Sequence, residues 1–133
     1  MARILVVDDD SKIRTMVRVV LERFGFEVME AIDGEAALRI ARAEKADLVV
    51  SDVFMPDCDG LELLRNLRRE LPDLKVISMS GGTLGGKIDL LTVARYLGAT
   101  ETIHKPFTAT ALLALVNRAL GIAPSETEAD GAG

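Results

Sequence analysis

The distribution of apolar positions divides the chain into alternating short and long segments. Short continuous apolar runs, such as residues 4–7 and 48–50, leave no position for solvent and predict strands covered on both faces. Longer segments repeat apolar residues every three or four positions and predict amphipathic helices. The pattern predicts five strand–helix pairs, at about 3–8 and 11–24, 27–31 and 36–45, 47–52 and 59–70, 74–80 and 90–97, and 101–105 and 108–120.

This alternation is typical of the α/β class, in which a doubly wound parallel sheet carries helices on both faces. Right-handed crossover connections place the carboxyl ends of all strands at one edge of the sheet. The residues at those ends include the acids 8–10, Asp52, Ser80 and Lys105. We therefore expect residues that are distant in sequence to meet at this edge, where open α/β sheets bind ligands.

Composition limits the class of protein. A chain of 133 residues with 49% hydrophobic and 28% charged residues suits one globular domain. The formal net charge of −5 argues against direct binding of nucleic acid. We expect residues 1–121 to form the domain and the small, polar residues 122–133 to form a disordered C-terminal tail.

Location follows from two further features of the sequence. No apolar run approaches the roughly 20 residues that are needed to cross a bilayer, so we expect no membrane partner. Cys58 is the single cysteine, which excludes an internal disulfide and suits a reducing compartment. The sequence therefore predicts a cytoplasmic protein.

The residues expected at the edge of the sheet suggest a reaction. Carboxylates brought together, as Asp8, Asp9 and Asp52 would be, repel one another unless a cation intervenes, and oxygen ligands without His or Cys favour Mg²⁺. Lys105 adds a positive charge, and Ser80 adds a hydroxyl donor. This combination predicts phosphoryl transfer to Asp52, because the cations neutralise the phosphoryl oxygens while the carboxylate attacks in line. The neighbouring Asp10 is more typical of a helix N-cap than of a ligand.

Taken together, these residues resemble the receiver domain of two-component response regulators. The resemblance extends from Ile4 to about Leu120. It rests on the joint order of several motifs, which are ILVVDDD at 4–10, DGEAAL at 33–38, DLVVSD at 47–52, Met55-Pro56, Asp59-Gly60, Ser80 and Lys105-Pro106-Phe107.

The resemblance implies a CheY-like, flavodoxin-like (βα)₅ fold with strand order 2-1-3-4-5. It also implies a role for each site residue: Asp52 as phosphoacceptor, Asp9, Asp8 (through water) and the Phe54 carbonyl as Mg²⁺ ligands alongside Asp52, Ser80 as switch hydroxyl, and Lys105 as phosphoryl contact. The Lys105–Pro106 peptide bond is cis in the family, and this sequence permits that isomer.

The resemblance further implies the partners. The donor is a sensor histidine kinase or a phosphotransfer protein. The target is a downstream protein that binds the face formed by the fourth helix, the fifth strand and the fifth helix, and a weak homodimer is compatible with the same face. The protein is expected to be a phosphoacceptor switch with at most slow autodephosphorylation. We expect either a single-domain regulator or a receiver from which an output domain has been removed.

Two features depart from the family pattern. Thr102 stands where the family commonly has an aromatic residue, three positions before the lysine. Residues 81–86, Gly-Gly-Thr-Leu-Gly-Gly, form a longer and more glycine-rich stretch than usual, and we expect it to be mobile before phosphorylation.

Three alternative functions remain open at this point. The first is a degenerate receiver that binds partners without being phosphorylated. The second is a nucleotide-binding protein, since residues 81–87 match G-x-x-x-x-G-K, although Ile88 stands where Ser or Thr would hold Mg²⁺. The third is a small phosphatase, since residues 8–12 partly resemble the nucleophile loop of haloacid dehalogenase-type phosphatases.

Overall fold

The computed structural model describes residues 2–53, 55, 60–81 and 90–122. Strands and helices alternate along the chain: β1 Arg3–Val7, α1 Ser11–Arg23, β2 Glu27–Ala31, α2 Gly34–Glu44, β3 Leu48–Asp52, α3 Gly60–Glu70, β4 Lys75–Ser80, α4 Leu90–Tyr96, β5 Glu101–His104 and α5 Ala109–Leu120. The strands form one parallel sheet in the order β2-β1-β3-β4-β5. The predicted fold class and strand order are confirmed, with small differences at the ends of elements.

The sheet has a separate hydrophobic core on each face. Successive side chains of a strand point to opposite faces, so Leu5 and Val7 of β1 pack with α2, α3 and α4, whereas Ile4 and Val6 pack with α1 and α5. Every residue of β3 is buried. The continuous apolar runs in the sequence therefore result from two covered faces.

Local signals in the sequence set several helix ends. The side chains of Asp10, Asp33 and Thr108 each accept a hydrogen bond from a backbone N–H in the first turn of α1, α2 and α5. Gly121 ends α5 in the left-handed conformation, which a residue without a Cβ adopts without strain. The prediction that Asp10 is a cap is confirmed. Among the helices of the described ranges, none is both long and apolar enough to cross a membrane.

Strand register determines which residues meet at the carboxyl edge. Val7 pairs with Ser51, so Asp8 and Asp52 follow side by side at the ends of β1 and β3. Ser80 pairs with His104, which places Lys105 one position beyond β5. β1 lies between β2 and β3, so the chain reverses its direction of winding at this point, which is where open α/β sheets bind ligands.

A close backbone approach at the start of α3 shapes the same edge. The N–H of Gly60 donates to the carbonyl of Val53 at 3.1 Å. A Cβ on Gly60 would lie 1.8 Å from the Asp52 carbonyl oxygen and 2.6 Å from the Val53 Cα. Only a residue without a side chain lets α3 begin directly against the end of β3.

We expect Gly60→Ala to destabilise the fold by about 3 kcal/mol, because the clash is with main-chain atoms that cannot move aside cheaply. Gly81→Ala is the matched control, since a Cβ there meets nothing within 4 Å. Urea unfolding of both variants measures the difference. Equal stability of the two variants would show that this approach is not a structural constraint.

Candidate functional site

The residues predicted to form the site lie at neighbouring strand ends. Asp8, directly after β1, is fully buried, whereas Asp9 is exposed. Asp52 is the last residue of β3, Ser80 is the last residue of β4, and both are buried. Lys105 follows β5, and its backbone N–H donates to the Ser80 carbonyl at 2.7 Å. The peptide bond that follows Lys105 is cis.

The side chain of Lys105 joins two of the three carboxylates. Its Nζ donates to Asp8 Oδ2 at 2.7 Å and to Asp52 Oδ1 at 3.3 Å. The Lys105 side chain is 17% exposed, and those of Asp8 and Asp52 are 1% and 7% exposed. These three charged groups come from positions that are 97 and 53 residues apart in sequence, and they meet with little access to solvent.

Burial and ion pairing act in opposite directions on Lys105. Burial is the largest single influence and disfavours the ammonium form. The hydrogen bond to Asp8, the charges of Asp52 and Asp8, and the hydrogen bond to Asp52 together outweigh it, so the pKa of Lys105 is raised above its usual 10.5. Lys105 is therefore a stable cation at neutral pH.

The acidic cluster has a composition that fits a divalent cation. One carboxylate oxygen from each of Asp8, Asp9 and Asp52 lies within 4.8 Å of the other two. The donors are hard oxygens, and the cluster includes an exposed member, Asp9, through which an ion can retain its waters. These residues fit Mg²⁺, while Phe54, whose carbonyl was the other predicted ligand, lies outside the described residues.

Arg14 is a neighbour of the site that the sequence analysis missed. Its Nη1 donates to the backbone carbonyl of Asp8 at 2.8 Å, and its Nε donates to Glu30 Oε1 at 3.2 Å. The backbone N–H of Asp8 donates to the Ala31 carbonyl at 3.3 Å, and Asp8 Oδ1 accepts from the Asp10 N–H at 2.9 Å. The Asp8 backbone is thus held from both α1 and β2.

Comparison with known proteins identifies the family. The family model described as response regulator receiver domain matches residues 4–117. The chain belongs to the response regulator receiver family. Receiver domains generally act as phosphoacceptor switches rather than as true enzymes, they typically use Mg²⁺, and they interact with sensor kinases or phosphotransfer proteins.

Curated relatives of this receiver domain include regulators and a phosphotransferase. The alkaline phosphatase synthesis transcriptional regulatory protein PhoP of Bacillus subtilis is 38% identical over 105 residues, which is 79% of this chain and 42% of PhoP. Sporulation initiation phosphotransferase F of the same species is 34% identical, over 79% of this chain and 82% of its own length. The chain thus spans less than half the length of PhoP, whereas it spans most of the phosphotransferase.

Solved structures share the fold of this receiver domain. A response regulator receiver domain protein from Clostridium thermocellum superposes with a TM-score of 0.83 at 34% identity, covering 91% of this chain and 95% of that one. The chemotaxis response regulator CheY4 of Vibrio cholerae superposes with a TM-score of 0.80 at 34% identity, covering 90% and 99%. The fold therefore matches that of solved chains that consist of little more than a receiver domain.

Thr102, which the sequence analysis expected to depart from the family pattern, takes part in a polar contact. The Thr102 hydroxyl accepts a hydrogen bond from Arg95 Nη2 at 2.6 Å, which connects the last turn of α4 to β5. A polar contact thus occupies the position at which the family resemblance led us to expect an aromatic side chain. The glycine-rich stretch is described only at Gly81, so the expectation of mobility and the nucleotide-loop motif fall on residues outside the described ranges.

We expect Lys105→Met to destabilise the metal-free protein by about 3 kcal/mol, because it leaves buried carboxylates without their cation. Added Mg²⁺ should reduce this loss, since a second cation then neutralises the same groups and binds only the folded state. Lys12→Met is the matched control, because it removes the same charge from an exposed position in the first turn of α1. Urea unfolding measures the free energy of unfolding of both variants. An equal loss of stability in the two would contradict a stabilising role for the buried ion pairs of Lys105.

The raised pKa of Lys105 predicts a dependence of stability on pH. A cation whose pKa is higher in the folded state contributes its full stabilisation below the unfolded-state pKa, here about 10.4. This contribution is lost as pH rises through the folded-state pKa, which lies above 10.5. The stability difference between wild type and Lys105→Met should therefore be constant near neutrality and should shrink above about pH 10.5, as measured by urea unfolding. A constant difference up to pH 11.5 would contradict this.

Proposed function

We propose that this receiver domain accepts a phosphoryl group on Asp52 from a phosphohistidine donor in the presence of Mg²⁺. The observation that carries the proposal is the contact of Lys105 Nζ with the carboxylates of both Asp8 and Asp52. A lone acid at the end of a strand has an ordinary structural explanation as a turn or cap. An acid buried beside a second acid and a shared ammonium group is the arrangement that phosphoryl transfer to a carboxylate requires.

The proposed reaction is a single displacement at phosphorus. An oxygen of the Asp52 carboxylate attacks in line, and the phosphorus–nitrogen bond to the donor imidazole breaks. The leaving nitrogen keeps the bonding electron pair and can then be protonated. The product is an aspartyl phosphate on β3. Because Lys105 already contacts Asp52, its ammonium group is positioned to pair with an oxygen of the incoming phosphoryl group.

Two further groups complete the proposed site. When bound, Mg²⁺ supplies neutralisation of the negative charge that accumulates on the phosphoryl oxygens. Asp8, Asp9 and Asp52 would hold it, and the carbonyl of Phe54 stays a predicted ligand. The hydroxyl of Ser80, at the adjacent strand end, would donate to a phosphoryl oxygen. Phosphorylation of Asp52 would thereby change a contact at the end of β4.

The remaining parts of the proposal concern the protein as a whole. We assign residues 1–121 to the receiver and 122–133 to a tail, most of which lies outside the described residues. The proposed donor is a sensor histidine kinase or a phosphotransfer protein, and the proposed output surface is the face formed by α4, β5 and α5, with a weak homodimer as one use of it. The proposal includes a cytoplasmic location, which rests on the single cysteine, and at most slow autodephosphorylation, which fits the low solvent exposure of the Asp52 side chain. Direct nucleic-acid binding is not expected at a net charge of −5.

Incubation with phosphoramidate and Mg²⁺, followed by intact mass measurement, tests the reaction directly. Phosphoramidate carries the phosphorus–nitrogen bond of the proposed donor without requiring a kinase. We expect the wild type to gain the mass of one phosphoryl group and Asp52→Asn to gain none, because the amide is not a nucleophile. Asp47→Asn is the matched control, since Asp47 precedes the opposite end of the same strand, where it accepts a hydrogen bond from the Arg3 N–H.

The same samples separate the alternative functions. Labelling that persists in Asp52→Asn would move the acceptor elsewhere and end the proposal. Hydrolysis of generic phosphate esters that depends on Asp8 and not on Asp52 would favour a phosphatase, and ATP binding that is lost in Lys87→Ala would favour a nucleotide-binding protein. A wild type that binds a partner but never gains mass would be a degenerate receiver.

A further inference from the structure

Arg14 occupies a position between the candidate site and the outer strand β2. Its side chain is 16% exposed, so the guanidinium group lies largely inside the protein. Two of its nitrogens are engaged: Nη1 with the Asp8 carbonyl and Nε with Glu30 near the end of β2. Neither contact involves a reacting atom, and the function proposed above does not use Arg14.

The carbonyl that Arg14 holds belongs to the peptide group between Asp8 and Asp9. A peptide group is planar, so fixing the direction of its C=O also fixes the direction of the Asp9 N–H and limits two backbone dihedral angles, ψ of Asp8 and φ of Asp9. These angles set the direction in which the Asp9 side chain leaves the backbone. Asp9 is the exposed member of the acidic cluster, and burial does not hold its carboxylate in place.

We propose that Arg14 is a positioning residue for the metal site and that it acts through this peptide group, with Glu30 holding the guanidinium in place. The inference rests on the proposed function, because it assumes that Asp8 and Asp9 bind Mg²⁺. A planar guanidinium can donate to two acceptors in a fixed geometry, which the ammonium group of lysine cannot reproduce. The role therefore requires arginine at this position.

A positioning role and a simple effect of charge predict opposite changes in Mg²⁺ affinity when Arg14 is removed. Arg14 is a cation beside an acidic cluster, and removal of a cation should strengthen binding of Mg²⁺ if only charge mattered. If Arg14 orients the Asp8–Asp9 peptide, its removal should weaken binding even though the site becomes more negative. Loss of an outer contact that orients a ligand typically costs a metal site roughly tenfold or more in affinity.

Arg18 provides a matched control on the same helix. Its Nε lies 3.3 Å from Glu30 Oε2 but without the geometry of a hydrogen bond, and among the described residues Arg18 makes no hydrogen bond or ion pair with Asp8. Arg18→Ala therefore removes the same charge from the neighbourhood of the same glutamate and leaves the Asp8 carbonyl untouched. Its affinity for Mg²⁺ should stay unchanged or rise slightly.

The test is titration of the unphosphorylated 133-residue chain with Mg²⁺ by calorimetry, since the chain has no tryptophan to serve as a fluorescent probe. Arg14→Ala and Arg14→Lys should each raise the Mg²⁺ dissociation constant roughly tenfold. Arg14→Lys is the decisive variant, because it keeps the charge and the long side chain and loses only the two-acceptor geometry. It also keeps the test valid if Arg14→Ala does not fold.

The phosphoryl acceptance rate distinguishes weaker binding from a damaged reaction. At saturating Mg²⁺ the rate of phosphoramidate labelling in Arg14→Lys should return to near the wild-type value, because the reacting groups are intact. Affinity equal to or tighter than wild type in Arg14→Lys would overturn the inference. So would an equal loss in Arg18→Ala, which would indicate general disruption of α1.

The two hypotheses fail in different ways. A wild type that binds Mg²⁺ but never labels at Asp52 ends the proposed function, and the calorimetric comparison then still decides whether Arg14 positions the metal site. A wild type that labels normally, with Mg²⁺ affinity unaltered in Arg14→Lys, ends the inference about Arg14 and leaves the proposed function in place.

Discussion

The site depends on one ion-paired contact, in which the ammonium group of Lys105 lies between the carboxylates of Asp8 and Asp52. Two acids buried at adjacent strand ends are costly unless a cation shares their environment. Lysine supplies that cation only because β5 lies in the same sheet, beyond β4, and ends at the same edge. The sheet topology therefore makes the chemistry possible, and the buried charges in turn require the sheet to be complete.

The sequence predicted well those features that residue type and periodicity determine. Continuous apolar runs identified the buried strands, and residue type identified Asp10 as a helix cap. The parallel arrangement followed from the strand–helix alternation, and it brought Asp52 and Lys105 to one edge. Alternation alone does not determine which strands are neighbours, so the order β2-β1-β3-β4-β5 depended on the family resemblance.

The features that the sequence did not predict depend on the path of the folded chain. Arg14 donates to a backbone carbonyl, and every residue carries such an acceptor. The contact therefore cannot be predicted from a pair of complementary residue types. Gly60 is required because the Asp52 carbonyl passes within 1.8 Å of where a Cβ would be, and that distance depends on the path of the folded chain. Thr102 was singled out from the sequence, but its hydrogen bond to Arg95 depends on the position of α4.

The Lys105 ammonium group makes two contacts of different length, and this difference affects how the site can react. The shorter contact, 2.7 Å, is to Asp8, and the longer one, 3.3 Å, is to the proposed acceptor Asp52. A nucleophilic carboxylate held by a short ion pair would lose reactivity, because attack requires an electron pair that the cation would otherwise stabilise. Asp8, which forms no bond in the proposed reaction, thus anchors the ammonium group. The longer contact falls on the carboxylate that the proposed reaction modifies, so the ammonium group could move to a phosphoryl oxygen without leaving the site.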